Sequence, residues 1–171
     1  MTQELIDLRN SILSGRYDDA LTIVDELEGM SKKSTLRNIR SYLIRMLIHL
    51  IKNQVEQRLT NSWAVSIRDS IMEIQDLNIM DNKKSHYVKA DEWEELLDIG
   101  FDTAIYKASV EVGNGEYKPV QLLEVVDKEE ILEKANQFLS LTYNNSPDTL
   151  GSAINSELSK LVGGADWNTV E

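Results

Sequence analysis

Six cations and no acid lie between Gly29 and Val55: Lys32, Lys33, Arg37, Arg40, Arg45 and Lys52. A run of this kind is the electrostatic footprint expected of a phosphate-rich partner. No recognised nucleic-acid motif or interleaved aromatics accompany it, and the whole chain carries −11, so neutralisation by carboxylates of the same fold or of a partner protein is the expected fate. Arg40 stands apart from the other five. On a helical wheel it lies between Leu47 and Ile51, inside the apolar arc of its helix, and an Arg buried there without its partner costs about 3–5 kcal/mol. The wheel therefore predicts a buried ion pair with Asp25, Glu26 or Glu28 of the preceding helix, or a stem that reaches water at the end of the arc.

Asp91, Glu95, Asp98 and Asp102 step by four, three and four, which aligns four carboxylates along one helix face. Such a line attracts a divalent cation or a basic partner, but a helical carboxylate metal site also draws on a Glu-x-x-His pair, which this chain lacks. The only histidines, His49 and His86, fall in neither a G-x-S-x-G nor an H-E-x-x-H pattern. His49 reads as a core-boundary residue hydrogen-bonded to a neighbour. Gly113-Asn114-Gly115 has no third glycine and no preceding strand, so it reads as a helix stop and not a nucleotide loop. With no Cys present, disulfides, thiolate zinc sites, iron–sulfur clusters and cysteine nucleophiles are excluded. No catalytic residue, metal ligand or cofactor is assigned.

The elements that would position these side chains are helices. Only 2 Pro and 8 Gly interrupt 171 residues, and apolar residues recur at helical spacing throughout. Leu5, Leu8 and Ile12 predict a short first helix that breaks at Ser14-Gly15. Ala20, Leu21, Val24 and Leu27 predict a second, capped by Asp18 and ended by Gly29. From about Ser34 to Arg58 the apolar positions cover more than half the circumference, which predicts a central helix packed on several neighbours. Trp63, Ile67, Ile71 and Ile74 define a helix capped at Asn61 or Ser62, and Trp93, Leu97, Phe101, Ala104, Ile105, Ala108 and Val112 another, with a capping box at Asp91 and Glu94. Residues 117–126 read as an extended arm or a short strand around Pro119. Asp127 caps a sixth helix, and Ser146-Pro147 opens a last one through Leu150, Ile154, Leu158 and Leu161. The expected fold is all-α, a bundle of about five to seven helices around 34–58. Its domain is expected over 1–126, with 127–171 an appended hairpin and tail packed on it.

Charge is unevenly divided: residues 1–80 carry 10 basic and 11 acidic side chains, residues 81–171 carry 8 and 18. No basic leader and no run of about 20 apolar residues is present, so no membrane contact is expected and the cytoplasm is the expected location.

Five segments together carry a family resemblance: Asp25-Glu26-Leu27-Glu28-Gly29-Met30, Arg40-Ser41-Tyr42-Leu43, Leu47-Ile48-His49-Leu50-Ile51-Lys52, Ser62-Trp63 and Ile67-Arg68. Over about residues 15–125 the chain resembles the bacterial domain of unknown function family twenty-nine. The resemblance implies an all-helical fold and brings no activity. It departs at Asn53, where the family has an aromatic, and at Arg40, where an acidic residue is expected.

The reading that follows is a non-catalytic protein–protein interaction module with an acidic C-terminal half. Trp167, with Leu158 and Leu161 of the last helix, is the candidate docking surface, because a tryptophan beyond a double glycine needs a burial site in this chain or another. Nucleic-acid binding through Lys32, Lys33, Arg37, Arg45 and Lys52 is the second reading, and an enzyme with a carboxylate-lined or metal-dependent site the third.

Overall fold

A computed structural model describes residues 2–80 and 84–169, with the side chain of Thr169 outside the description. Seven α-helices, two short 3-10 helices and one isolated β-bridge between Ile79 and His86 make up the regular structure of the described residues. The fold is all-α, as the periodicity predicts. None of these helices is long and apolar enough to cross a membrane. By packing the chain divides into two units, Met1–Asn38 and Ile39–Glu171.

In the first unit α1 (Gln3–Leu13) turns into α2 (Tyr17–Glu56) through Ser14–Arg16. Gly15 adopts φ +72° there, the left-handed conformation that a side chain resists. Of this unit's described residues only Ser11 and Ala20 are buried. Here the structure corrects two expectations. Gly29 is not a helix end, since α2 passes through it without a positive φ. A mid-helix glycine costs about 1 kcal/mol, a cost that good helix formers on either side offset across 40 residues.

The same continuity overturns the Arg40 ion pair. Asp25, Glu26 and Glu28 lie on the same helix as Arg40, at least 12 residues before it and so roughly 18 Å away along the axis. Arg40 is exposed. Its wheel position falls between Leu47 and Ile51, but a wheel projects every turn onto one circle, and in the first covered turn of α2 the cover is narrower, with Ile39 and Leu43 buried and Arg40 at the edge exposed.

The second unit is built around the C-terminal part of α2, where Ile39, Leu43, Met46, Leu47, Leu50 and Ile51 are buried. The left-handed Gln57 (φ 54°) ends α2, and Thr60 caps α3 (Asn61–Asn78) by accepting the Trp63 N–H at 3.1 Å. Gly100 of α4 (Trp93–Ser109) sits against Leu43, Ile44 and Leu47, where a methyl group would reach van der Waals contact. The capping box expected from Asp91 does not form; Glu92 takes the N-cap position and its side chain accepts the Lys89 N–H at 2.9 Å.

α4 ends at Ser109, before the stop expected at Gly113, Asn114 and Gly115; these three take left-handed conformations in a short 3-10 helix, Val112–Gly115. The extended arm does not form. Residues Pro119–Val125 form α5, because proline suits the first helical position and the Gln121 side chain accepts the Lys118 N–H at 2.9 Å. Asp127 then caps α6 (Lys128–Asn144) through the Glu130 N–H at 3.2 Å, and α7 (Pro147–Leu158) follows. α6 and α7 pack on each other and on α3, α6 and α5 also flank α4, and a 3-10 helix at Ala165–Thr169 folds back on α7.

Candidate functional site

Two polar clusters and one groove bring chemistry-bearing side chains together in the second unit. The first cluster closes the C-terminal end of α2. Lys52, 8% exposed, forms an ion pair with Glu111, and its ammonium lies 5.5 Å from the centre of the Trp63 ring. Arg58 stacks on the same ring at 4.9 Å and is held by Glu56 at 2.9 Å. Asn53 donates to the carbonyls of Arg58 and Val162, both at 2.9 Å, which ties the end of α2 to the segment after α7. An aromatic here would leave both carbonyls without that donor.

His49 sits one turn earlier. Contrary to the hydrogen bond expected for it, its Nδ1 is buried with no partner. Burial holds its pKa down at about 4, the nearby Lys52 and Arg45 add to that, and Glu111 opposes it. At neutral pH the imidazole is uncharged, the lysine is neutralised, and the cluster fastens helices together. Lys52 therefore leaves the proposed basic patch. Lys32, Lys33, Arg37 and Arg45 are exposed along α2, with Arg45 over the Tyr42 ring at 5.4 Å.

The second cluster anchors the segment before α4. Asn78 grips Val88 through both its amide groups, donating to the carbonyl at 2.9 Å and accepting the N–H at 2.7 Å. Tyr143 of α6 donates to the same carbonyl at 2.6 Å and accepts from Trp93 Nε1 at 2.7 Å. His86 meets the Tyr143 ring edge-on at 4.9 Å. Burial raises the Tyr143 pKa, with the hydrogen bonds from Trp93 and Asn78 opposing it, so the phenol stays protonated and able to donate. This buried network sets where α4 begins against α6.

What it positions is a groove of about 510 Å³ between those helices, lined by Ala90, Asp91, Glu94 and Leu97 on one side and Glu129, Leu132, Glu133 and Asn136 on the other. On α6 the lining residues recur at i, i+3, i+4 and i+7, so one face supplies them all. Leu97 is buried and Leu132 half-buried, which gives the groove an apolar floor under a rim of four carboxylates. None of the four has an ion-pair partner among the described residues. Neighbouring acids on the same helices do: Asp98 with Lys128 at 2.6 Å and Glu130 with Lys134 at 2.8 Å. No group of three or more His, Asp or Glu among the described residues is arranged to hold a metal ion.

The expected docking surface is corrected in part. Leu158 and Leu161 are 0% and 5% exposed and belong to the core, because the chain after α7 folds back over them. Trp167 is half-buried, and its N–H donates to the Gly164 carbonyl at 3.0 Å. Of the acidic line, Asp91 reaches the groove, whereas Glu95, Asp98 and Asp102 lie exposed outside its lining. The α6 half of the groove was missed, although the i, i+3, i+4, i+7 pattern of Glu129 to Asn136 was there to find.

Among known families, the one described as Domain of unknown function DUF29 matches residues 13–135. No curated protein and no solved structure matches the chain.

Proposed function

The chain belongs to the DUF29 family, and because that description assigns no activity, we propose from its own geometry that it is a non-catalytic interaction module that takes a basic, amphipathic segment of a partner protein between α4 and α6. The observation that supports this reading is the pairing state of the carboxylates. Four acids around one apolar floor repel one another, and no described residue forms an ion pair with any of them, while acids one turn away are paired. A segment carrying Lys or Arg on either side of an apolar side chain would relieve the repulsion and cover Leu97 and Leu132 together.

The test uses a synthetic amphipathic peptide of leucine and lysine, titrated by calorimetry against the full chain, the double variant Glu94→Lys/Glu133→Lys, and a control, Glu73→Lys/Asp76→Lys, that changes net charge equally on exposed positions of α3. The reading expects affinity to fall at least tenfold for the groove variant and little for the control, with binding weakened by salt. Equal losses from the two variants would reduce it to non-specific attraction by an acidic protein.

A further inference from the structure

Residues 28–34 of α2 are exposed at every position, so no side of the helix is covered for about two turns. That is unusual, because packing supplies most of a helix's stability. One face of this stretch carries Met30, Lys33, Ser34 and Arg37 at i, i+3, i+4 and i+7, and all four are exposed. Met30 is 58% exposed, and Lys33 has no ion-pair partner among the described residues. An apolar side chain is thus followed on one face by two cations.

The α4–α6 groove has the complementary layout. Asp98 of α4 pairs with Lys128 near the start of α6, while Trp93 meets Tyr143 near its end, so the two helices run antiparallel. Five residues back along α4 and five forward along α6, Glu94 and Glu133 therefore stand roughly level across the groove, about 7 Å along each helix from the Asp98–Lys128 pair. The apolar floor of Leu97 and Leu132 lies toward that pair, and Asp91 lies beyond Glu94 at the other end. A helix laid along the direction of α6 with its methionine over the floor brings Lys33 between Glu94 and Glu133 and Arg37 toward Asp91. Glu26, one turn before Met30, then falls beyond the rim, level with Lys128. The reverse direction sets Glu26 among the carboxylates and is disfavoured.

We infer that the basic stretch of α2 in one copy is the segment that the α4–α6 groove of a second copy receives, so that the chain associates head to tail. The inference rests on the groove reading above and names its partner. Stretch and groove are different surfaces, so the contact is heterologous and repeats from copy to copy unless it closes on itself.

Sedimentation velocity on the full chain between about 1 µM and 0.1 mM tests it. At the upper end the expected mass is at least twice the 19.5 kDa of one chain. Met30→Gln/Lys33→Gln, at exposed positions where glutamine keeps helix propensity, and separately Glu94→Lys/Glu133→Lys are each expected to weaken association at least tenfold, with circular dichroism confirming that both stay helical. Mixed in equal amounts, the two variants are expected to form a pair of twice the single-chain mass, since one keeps the groove and the other keeps the stretch. The leucine–lysine peptide is expected to return the wild-type chain to the monomer mass by filling the groove. A monomer at every concentration, an association that neither variant weakens, or a mixture no heavier than the variants alone overturns the inference. If the groove of that chain still binds the peptide, only the self-partner falls and the groove reading stands; if it does not, both fall.

Discussion

His49 and Lys52 stand three residues apart on α2 and show how burial, more than residue type, decides what a titratable side chain does. Lys52 is covered and paired with Glu111 beside the Trp63 ring, while His49 has a buried Nδ1 without a partner and is held neutral. The folded-state pKa of about 4 lies below the ordinary 6.5, so between these values the unfolded chain binds more protons. His49 therefore contributes stability that is fully present above about pH 6.5 and is lost as pH falls through about 4. Nuclear magnetic resonance titration is expected to place the His49 midpoint near 4, and His49→Gln is expected to reduce the loss of urea resistance between pH 7 and pH 4.5. A midpoint near 6.5 would contradict the burial that the structure gives it. At this scale the sequence identified which residues were unusual but not their surroundings. Arg40 looked buried because a wheel discards axial position, and His49 looked satisfied because no periodicity records which acceptors lie nearby.

At the scale of elements the chain was more readable. The stripes of α3, α4 and α7 follow from spacing alone, and caps at Asp127 and Ser146 mark starts within a residue. The errors share a cause: Gly29 and Pro119 were read as breakers although neither position demands a break. A lone glycine with ordinary helical geometry is merely expensive, and a proline at a first helical position is favourable. This makes Gly29→Ala informative. With nothing within 4 Å of the added methyl and no positive φ, it is expected to stabilise α2 by about 0.5–1 kcal/mol at protein concentrations low enough to exclude association. Ellipticity at 222 nm through a thermal scan reads the effect. Destabilisation of the same size would mean that Gly29 ends a helix after all.

For the molecule as a whole, charge and packing divide differently. The boundary at Asn38 falls inside α2, where no composition shift or Pro/Gly-rich linker signals it, so the sequence had no mark to read. The acidic surplus of residues 81–171 was plain from counting. Where it concentrates was not, because the groove needs α6 beside α4, and that adjacency is fixed by Asn78, Val88, Trp93 and Tyr143, contacts separated by as many as 65 residues. The proposal of a basic partner rests on that adjacency. Chemical-shift mapping of the isotope-labelled full chain during titration with the leucine–lysine peptide tests it most directly. Perturbations confined to Ala90–Leu97 and to Glu129–Asn136, reaching saturation together, are expected; perturbations spread over the exposed acids of every helix, or gathered elsewhere with the groove silent, would contradict the account.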